Sequence, residues 1–321
     1  MKKSIYYSVA ILAFASVITL SSCAKKKAFK NEDGQASEDN RDVNGENDQA
    51  VTDANNAVFG SVKMSGKGVN VADVTAITGT IQGGVVDTTG INQGTIKINY
   101  NGTTVNNRTR TGSIRLSIQD YASGKRWKQV GCVIKVEYLA YKVTRASDGK
   151  SVQLDGTQNL TNVTGGTWWE LIITKTQSSL ASSITGSDLN VTFSDGKTAL
   201  YNINRKFTYT IPGNILTCTG EGMGNSEGLD NLENYGTTRD GDSFTSQVST
   251  PIVWNLTCGA WAPTQGAVNI KVSEKEFDLK CTFGVTNSGD VQDVAANNCP
   301  YGWKVEWTHK KKTNKKIFAY K

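Results

Sequence analysis

The chain has 321 residues, with 35 Lys and Arg against 29 Asp and Glu, one histidine and six cysteines, for a formal charge of +6. So weak a positive balance excludes a nucleic-acid footprint. A single histidine without any Cys-x-x-Cys spacing argues against a zinc site, so no metal and no cofactor is expected.

The N-terminus reads as an export signal. Met1-Lys2-Lys3-Ser4 is positive, Ile5 to Leu20 is uncharged and largely apolar, and Leu20-Ser21-Ser22-Cys23 closes the run. Lysines hold the start on the cytoplasmic side, the apolar run enters the export channel, and the small serines give a peptidase access to the backbone. The run is shorter than the roughly 20 residues that span a bilayer, which argues against a retained helix. The pattern resembles the lipobox of bacterial lipoproteins. That resemblance implies removal of residues 1–22 and a diacylglyceryl group on Cys23, so the expected partner is a membrane, reached through acyl chains such as palmitate. Two or more chains, at about 0.8 kcal/mol per buried methylene, make a stable anchor. Loss of Lys2 and Lys3 takes two charges off +6 and leaves +4. Ala24 is not the aspartate that favours inner-membrane retention in enterobacteria, which points to the outer membrane. Lys25, Lys26 and Lys27 stand where surface lipoproteins carry acids, and this leaves periplasmic and surface faces both open.

Residues 23–57 carry almost no large apolar side chains, and acids recur at Glu32, Asp33, Glu38, Asp39, Asp42, Glu46, Asp48 and Asp53. Such a segment is expected to stay a disordered acidic tether, because it cannot bury enough surface to offset its ordering entropy. As a flexible coil it would reach about 30 Å.

Residues 58–321 alternate apolar and polar side chains, which predicts an all-β body of antiparallel hairpins in a sandwich or an elongated curved sheet. The length suits one large domain or two smaller ones. Ile96, Ile98 and Tyr100 share a face, as do Ile114, Leu116 and Ile118. In the run from Cys132 to Val143 the phase slips between Ile134, Val136, Tyr138 and Leu139, Tyr141, Val143, which suggests a β-bulge or a strand covered on both faces. Asp195-Gly196 and Asp240-Gly241 sit between such runs and predict hairpin turns, since both residue types tolerate positive φ. Val268 to Val272 pairs with Phe277 to Phe283, and Trp303 to Trp307 with Ile317 to Tyr320.

Beyond Cys23 five cysteines remain, and export permits pairing. The odd count leaves at least one thiol free or bonded between chains. Cys258 with Cys299 is the expected pair, on the ground that strand ends meet.

From about Gly94 onward the chain is similar to uncharacterised lipoproteins of Bacteroidota. The similarity lies in Asn107-Arg108-Thr109-Arg110-Thr111-Gly112-Ser113-Ile114, Asp195-Gly196-Lys197-Thr198, Arg239-Asp240-Gly241-Asp242-Ser243-Phe244-Thr245 and Thr250-Pro251-Ile252-Val253-Trp254. It implies β architecture and lineage and carries no activity. Relatives often place a cysteine before the Asn-Arg-x-Arg segment, where this chain has Thr103-Thr104-Val105, so no pairing for Cys132 or Cys218 transfers.

Catalytic patterns are scarce. His309, the only histidine, lies beside Lys310-Lys311-Lys312 at a turn with nothing to place a nucleophile near it. The lysines from 310 to 316 read as a solvated turn that blocks edge-to-edge pairing; a polyanion contact is the alternative. Trp168-Trp169-Glu170 has the composition of a sugar platform, and Trp168 and Trp261 are the candidate glycan contacts. On a strand, though, adjacent residues face opposite sides, and core packing explains most tryptophans. The leading expectation is a lipid-anchored envelope protein with a non-enzymatic structural or interaction role, its partner a glycan or another envelope protein. A carbohydrate-binding surface lipoprotein is the alternative, and a carboxylate-dependent glycoside hydrolase using Glu170 is a third.

Overall fold

Period-two alternation produces strands throughout the body. In the computed structural model, residues 34–66, 81, 83–226, 228–259, 262–273, 278–292, 298–309 and 312–320 are described. The strands β1 (Gly84–Asp87), β2 (Thr95–Val105), β3 (Arg108–Ile118), β4 (Cys132–Arg145), β5 (Ser151–Asn162), β6 (Ser179–Phe193) and β7 (Thr198–Thr210) lie side by side in chain order, each antiparallel to the last. The next position is shared end to end by two short strands. β8 (Thr217–Gly222) pairs with one half of β7, and β10 (Leu229–Thr237) with the other half, while β9 (Gly224–Ser226) folds back on β10. The far sides of β8 and β10 meet β11 (Ser243–Asn255). β12 (Gln265–Val272), β13 (Leu279–Val285), β14 (Gly302–His309) and β15 (Lys312–Ala319) complete one fifteen-stranded sheet. The hairpins expected at Asp195-Gly196 and Asp240-Gly241, and the pairings Val268 with Cys281 and Trp303 with Phe318, are present. Phe277 lies outside the described residues.

A line of register shifts bends this sheet. Shifts fall between Thr111 and Ser113, Tyr138 and Tyr141, Asp155 and Asn159, and Gly186 and Leu189, on four neighbouring strands. Bulges kink a strand and increase its twist, so a row of them curls the sheet. The slip in β4 is one of these: Tyr138 and Tyr141 are both buried, and Leu139, expected to share the face of Tyr141, points out. The backbone crowds there, because a Cβ on Gly112 would sit 2.0 Å from the Ala140 carbonyl oxygen.

What the sheet curls around is the segment expected to be a tether. Residues 35–57 are not disordered: α1 (Gln35–Gly60) is a 26-residue helix, followed by the short α2 (Val62–Ser65). Val43, Ala50, Val51, Ala54, Ala57 and Val58 are buried, in the i, i+3, i+4, i+7 pattern of one helix face. The composition argument failed because it counted apolar surface alone. Ser37, Asp39, Asn40, Asn47, Asp53 and Asn55 are buried too, which is tolerable only where each polar group finds a partner.

The body has two ends. One, the turn end, carries the β4–β5, β6–β7 and β10–β11 turns, and the N-terminal half of α1 meets them through Asp42 and Asp39. At the other, the loop end, α2 meets the β3–β4 connection through Trp127 N–H to the Met64 carbonyl, 2.8 Å. Among the described residues no helix is long and apolar enough to cross a membrane.

Candidate functional site

The most distinctive feature is the polar contact between α1 and the inner face of the sheet. Arg239, in the turn that follows β10, holds Asp39 with two hydrogen bonds, Nε to Oδ2 at 2.7 Å and Nη2 to Oδ1 at 2.6 Å. Arg145 at the end of β4 donates to Asp42 at 3.2 Å. Arg108 at the start of β3 donates to Glu46 at 2.8 Å. In the middle of β7, Arg205 grips Asp48 through both guanidinium nitrogens, at 2.7 and 3.0 Å. Farther along, the Tyr100 hydroxyl donates to Asp53 at 2.7 Å. Asparagines fill the gaps: Asn47 Nδ2 donates to the Tyr138 hydroxyl and to Gln158, both at 2.9 Å, and Asn40 and Asn44 donate to Glu233 at 3.1 and 3.2 Å. Four acids of the helix thus meet four arginines, three on different strands and Arg239 in the β10–β11 turn. Three of those arginines, 108, 145 and 239, sit beside turns whose sequence reads only as turn chemistry.

Burial sets the protonation of this interface. Loss of water pushes Asp39 up to about 6 despite Arg239, and Asp48 up to about 6 despite Arg205; burial raises Asp53 as well. A carboxyl whose folded pKa exceeds its unfolded value takes up a proton on folding, so stability falls as pH rises from about 4 through 6 and then levels. Glu137 acts oppositely: Arg115 holds it down at about 2, so its smaller, partly exposed contribution is lost only below about pH 4. The melting temperature is therefore expected to be higher at pH 5 than at pH 7.5. A curve rising between those values would contradict the burial of these carboxylates.

A cleft of about 230 Å³ opens at the turn end between α1 and the sheet, lined by Gln35, Asp42, Glu46, Arg145, Lys150 and Arg239. Its cations are engaged. Arg145 also holds Asp148, Arg239 also holds Asp195, and Lys150 lies 3.5 Å from Glu38.

The residues singled out by sequence are scattered. Cys23 and Trp261 lie outside the described residues. Cys258 and Cys299 form a disulfide that joins the β11–β12 and β13–β14 connections at the loop end. Cys132, Cys218 and Cys281 are free and buried, and burial pushes each thiol up, Cys132 to about 11. Such thiols stay protonated and unreactive.

Trp168 and Trp169 are not on a strand. Residues 169–173 form one π-helical turn between β5 and β6. Thr167-Trp168-Trp169-Glu170 is a capping box: Glu170 accepts the Thr167 N–H at 2.9 Å and its hydroxyl, and Thr167 accepts the Trp169 N–H at 3.3 Å. The Ser/Thr-x-x-Glu spacing was a readable signal for it. Glu170 therefore serves a helix start, and among the described residues no cluster of three or more His, Cys, Asp or Glu could hold a metal. Trp168 packs edge-on against Tyr209 at 4.7 Å and is half-buried. Trp169 instead faces outward, 44% exposed, with Ile173 58% exposed on the same turn. Val130, 66% exposed, projects from the neighbouring β3–β4 loop, which bonds to this one through Gly166 N–H to the Lys128 carbonyl. These apolar tips crown the loop end, with Lys128 and Lys175 exposed between them. Sequence reasoning missed them because exposure of a tryptophan is decided by the turn that carries it. Compared with family models, curated proteins and solved structures, the chain matches none.

Proposed function

We propose that this chain is a lipid-anchored envelope protein of the outer membrane with a non-enzymatic interaction role, its turn end toward the membrane and its loop end presenting the contact surface. The observation that carries this reading is the polarity of the body. Cys23 precedes Gly34 by eleven residues, which extend at most about 40 Å, so an anchor on Cys23 keeps the N-terminus of α1 close to the headgroups. The lysine-bearing strand β15 meets the same part of the helix: Glu38 lies 3.9 Å from Lys316. Lysines there suit an anionic surface. The opposite end displays Val130, Trp169 and Ile173, apolar groups at loop tips of the kind that mark interaction sites. Membership of the Bacteroidota lipoproteins noted above is part of the same proposal.

Two measurements test it. Cys23→Ser is expected to move the chain from the membrane to the soluble fraction with its β circular dichroism intact; continued membrane retention sinks the anchor. Trp169→Ser with Ile173→Ser is expected to abolish cross-linking of the intact protein to its envelope neighbours, again without loss of fold. Trp169 also favours the second reading, a glycan contact, because an exposed indole can stack on a sugar ring. Glycan-array binding that vanishes in Trp169→Ala would select it over a protein partner.

A further inference from the structure

Between the first turns of α1 and the inner face of β11 to β14 lies a cavity of about 30 Å³, with Ser37, Arg41, Asp48, Trp254, Cys281 and Trp303 in its wall. That is room for one or two water-sized particles. Three buried N–H donors of this wall have no hydrogen-bond partner among the described residues: Arg41 Nε, Trp254 Nε1 and Trp303 Nε1. Their burial is nearly complete, Trp254 being 5% and Trp303 2% exposed. The arginine and one indole are locked together, since the Arg41 guanidinium lies 4.4 Å above the Trp303 ring, and that ring is stacked in turn on Phe318 at 4.8 Å.

The side-chain oxygens that line the cavity are committed. Both oxygens of Asp48 receive Arg205, and the side-chain oxygens of Asn40 and Asn44 receive Asn234 at 2.9 and 2.8 Å. The Ser37 hydroxyl donates to the Gly34 carbonyl at 2.9 Å. An unmet buried donor costs about 1–3 kcal/mol, so three on one cavity call for a common acceptor. A water molecule accepts two hydrogen bonds and must also place two hydrogens of its own. A halide accepts three or more and donates none. The charges around the cavity are paired, Arg41 with Asp42 and Arg205 with Asp48, so the three N–H groups are the donors left to a guest.

We propose that this cavity is a binding site for a small monovalent anion of chloride or bromide size, held by Arg41 Nε and the indole N–H groups of Trp254 and Trp303. The proposal is independent of the anchor and of the apolar tip. The bound ion would fix the start of α1 against β11 to β14.

The test uses the full chain at constant pH and ionic strength, in sodium bromide against sodium gluconate, whose anion is too large for the cavity. Thermal unfolding is expected to shift upward in bromide with a saturable dose response, as ligand binding to the folded state alone requires. Crystals grown in bromide are expected to show one anomalous peak within hydrogen-bond distance of the three nitrogens. Trp254→Phe keeps the ring and removes the N–H, and is expected to raise the bromide concentration for half effect at least tenfold. Should that variant not fold, Trp303→Phe replaces it, and the wild-type anomalous peak decides independently. Equal melting in the two salts, a water in place of the peak, or an unchanged dose response in the folded variant would overturn the assignment.

Discussion

Arg205→Leu is expected to destabilise the fold by about 3–5 kcal/mol, the usual cost of leaving a buried charge without its partner. Arg205 is almost fully buried in the middle of β7, bidentate to Asp48 and 3.8 Å from Glu233. Its removal leaves two carboxylates facing each other across a space with no cation. The pair as a whole need not add net stability, because two ions lose their hydration on burial. The double variant Asp48→Asn with Arg205→Met is therefore expected to recover most of the loss. Chemical denaturation followed by tryptophan fluorescence measures both. A single variant within about 1 kcal/mol of wild type would mean that α1 is not held inside the sheet by this contact.

Breaking the Cys258–Cys299 disulfide is expected to cost about 4 kcal/mol by the chain-entropy relation for a loop of this size, given a separation of 41 residues. Cys258→Ser and Cys299→Ser each remove the same constraint, so the double variant is expected to cost no more than either single one. The disulfide joins two connections and shares no hydrogen-bond or ion-pair partner with Arg205. Losses from Cys258→Ser and Arg205→Leu are accordingly expected to add. Marked non-additivity would reveal coupling between the loop end and the helix cradle.

The strands were legible because one face is apolar and the other is wet, a contrast that alternation records directly. The bulge in β4 was legible as a phase slip, though not which residue it would expel; Leu139 went outward because Tyr138 and Tyr141 both fit the interior. The helix was illegible to any count of apolar residues. Its acids look like a solvated chain until Arg108, Arg145, Arg205 and Arg239 are brought to them from as far as 200 positions away. Complementary charge between distant segments leaves no periodic mark in either. Trp168 and Trp169 show the reverse case, in which a local signal existed in the Thr167-to-Glu170 spacing and was outweighed by their strand-like neighbourhood.

The cradle around α1 also sets a clock. Isolated helices gain little from a sequence rich in Asn, Asp and Gly, and this one comes early in the chain. The arginines that receive it arrive later, Arg239 just after β10 and the Trp303 platform of Arg41 on β14. Contacts so distant along the chain make folding slow. A growing chain consequently claims its first helix piecemeal, through β2 to β7 first and through Arg239 and the Trp303 platform only near the end of its own synthesis.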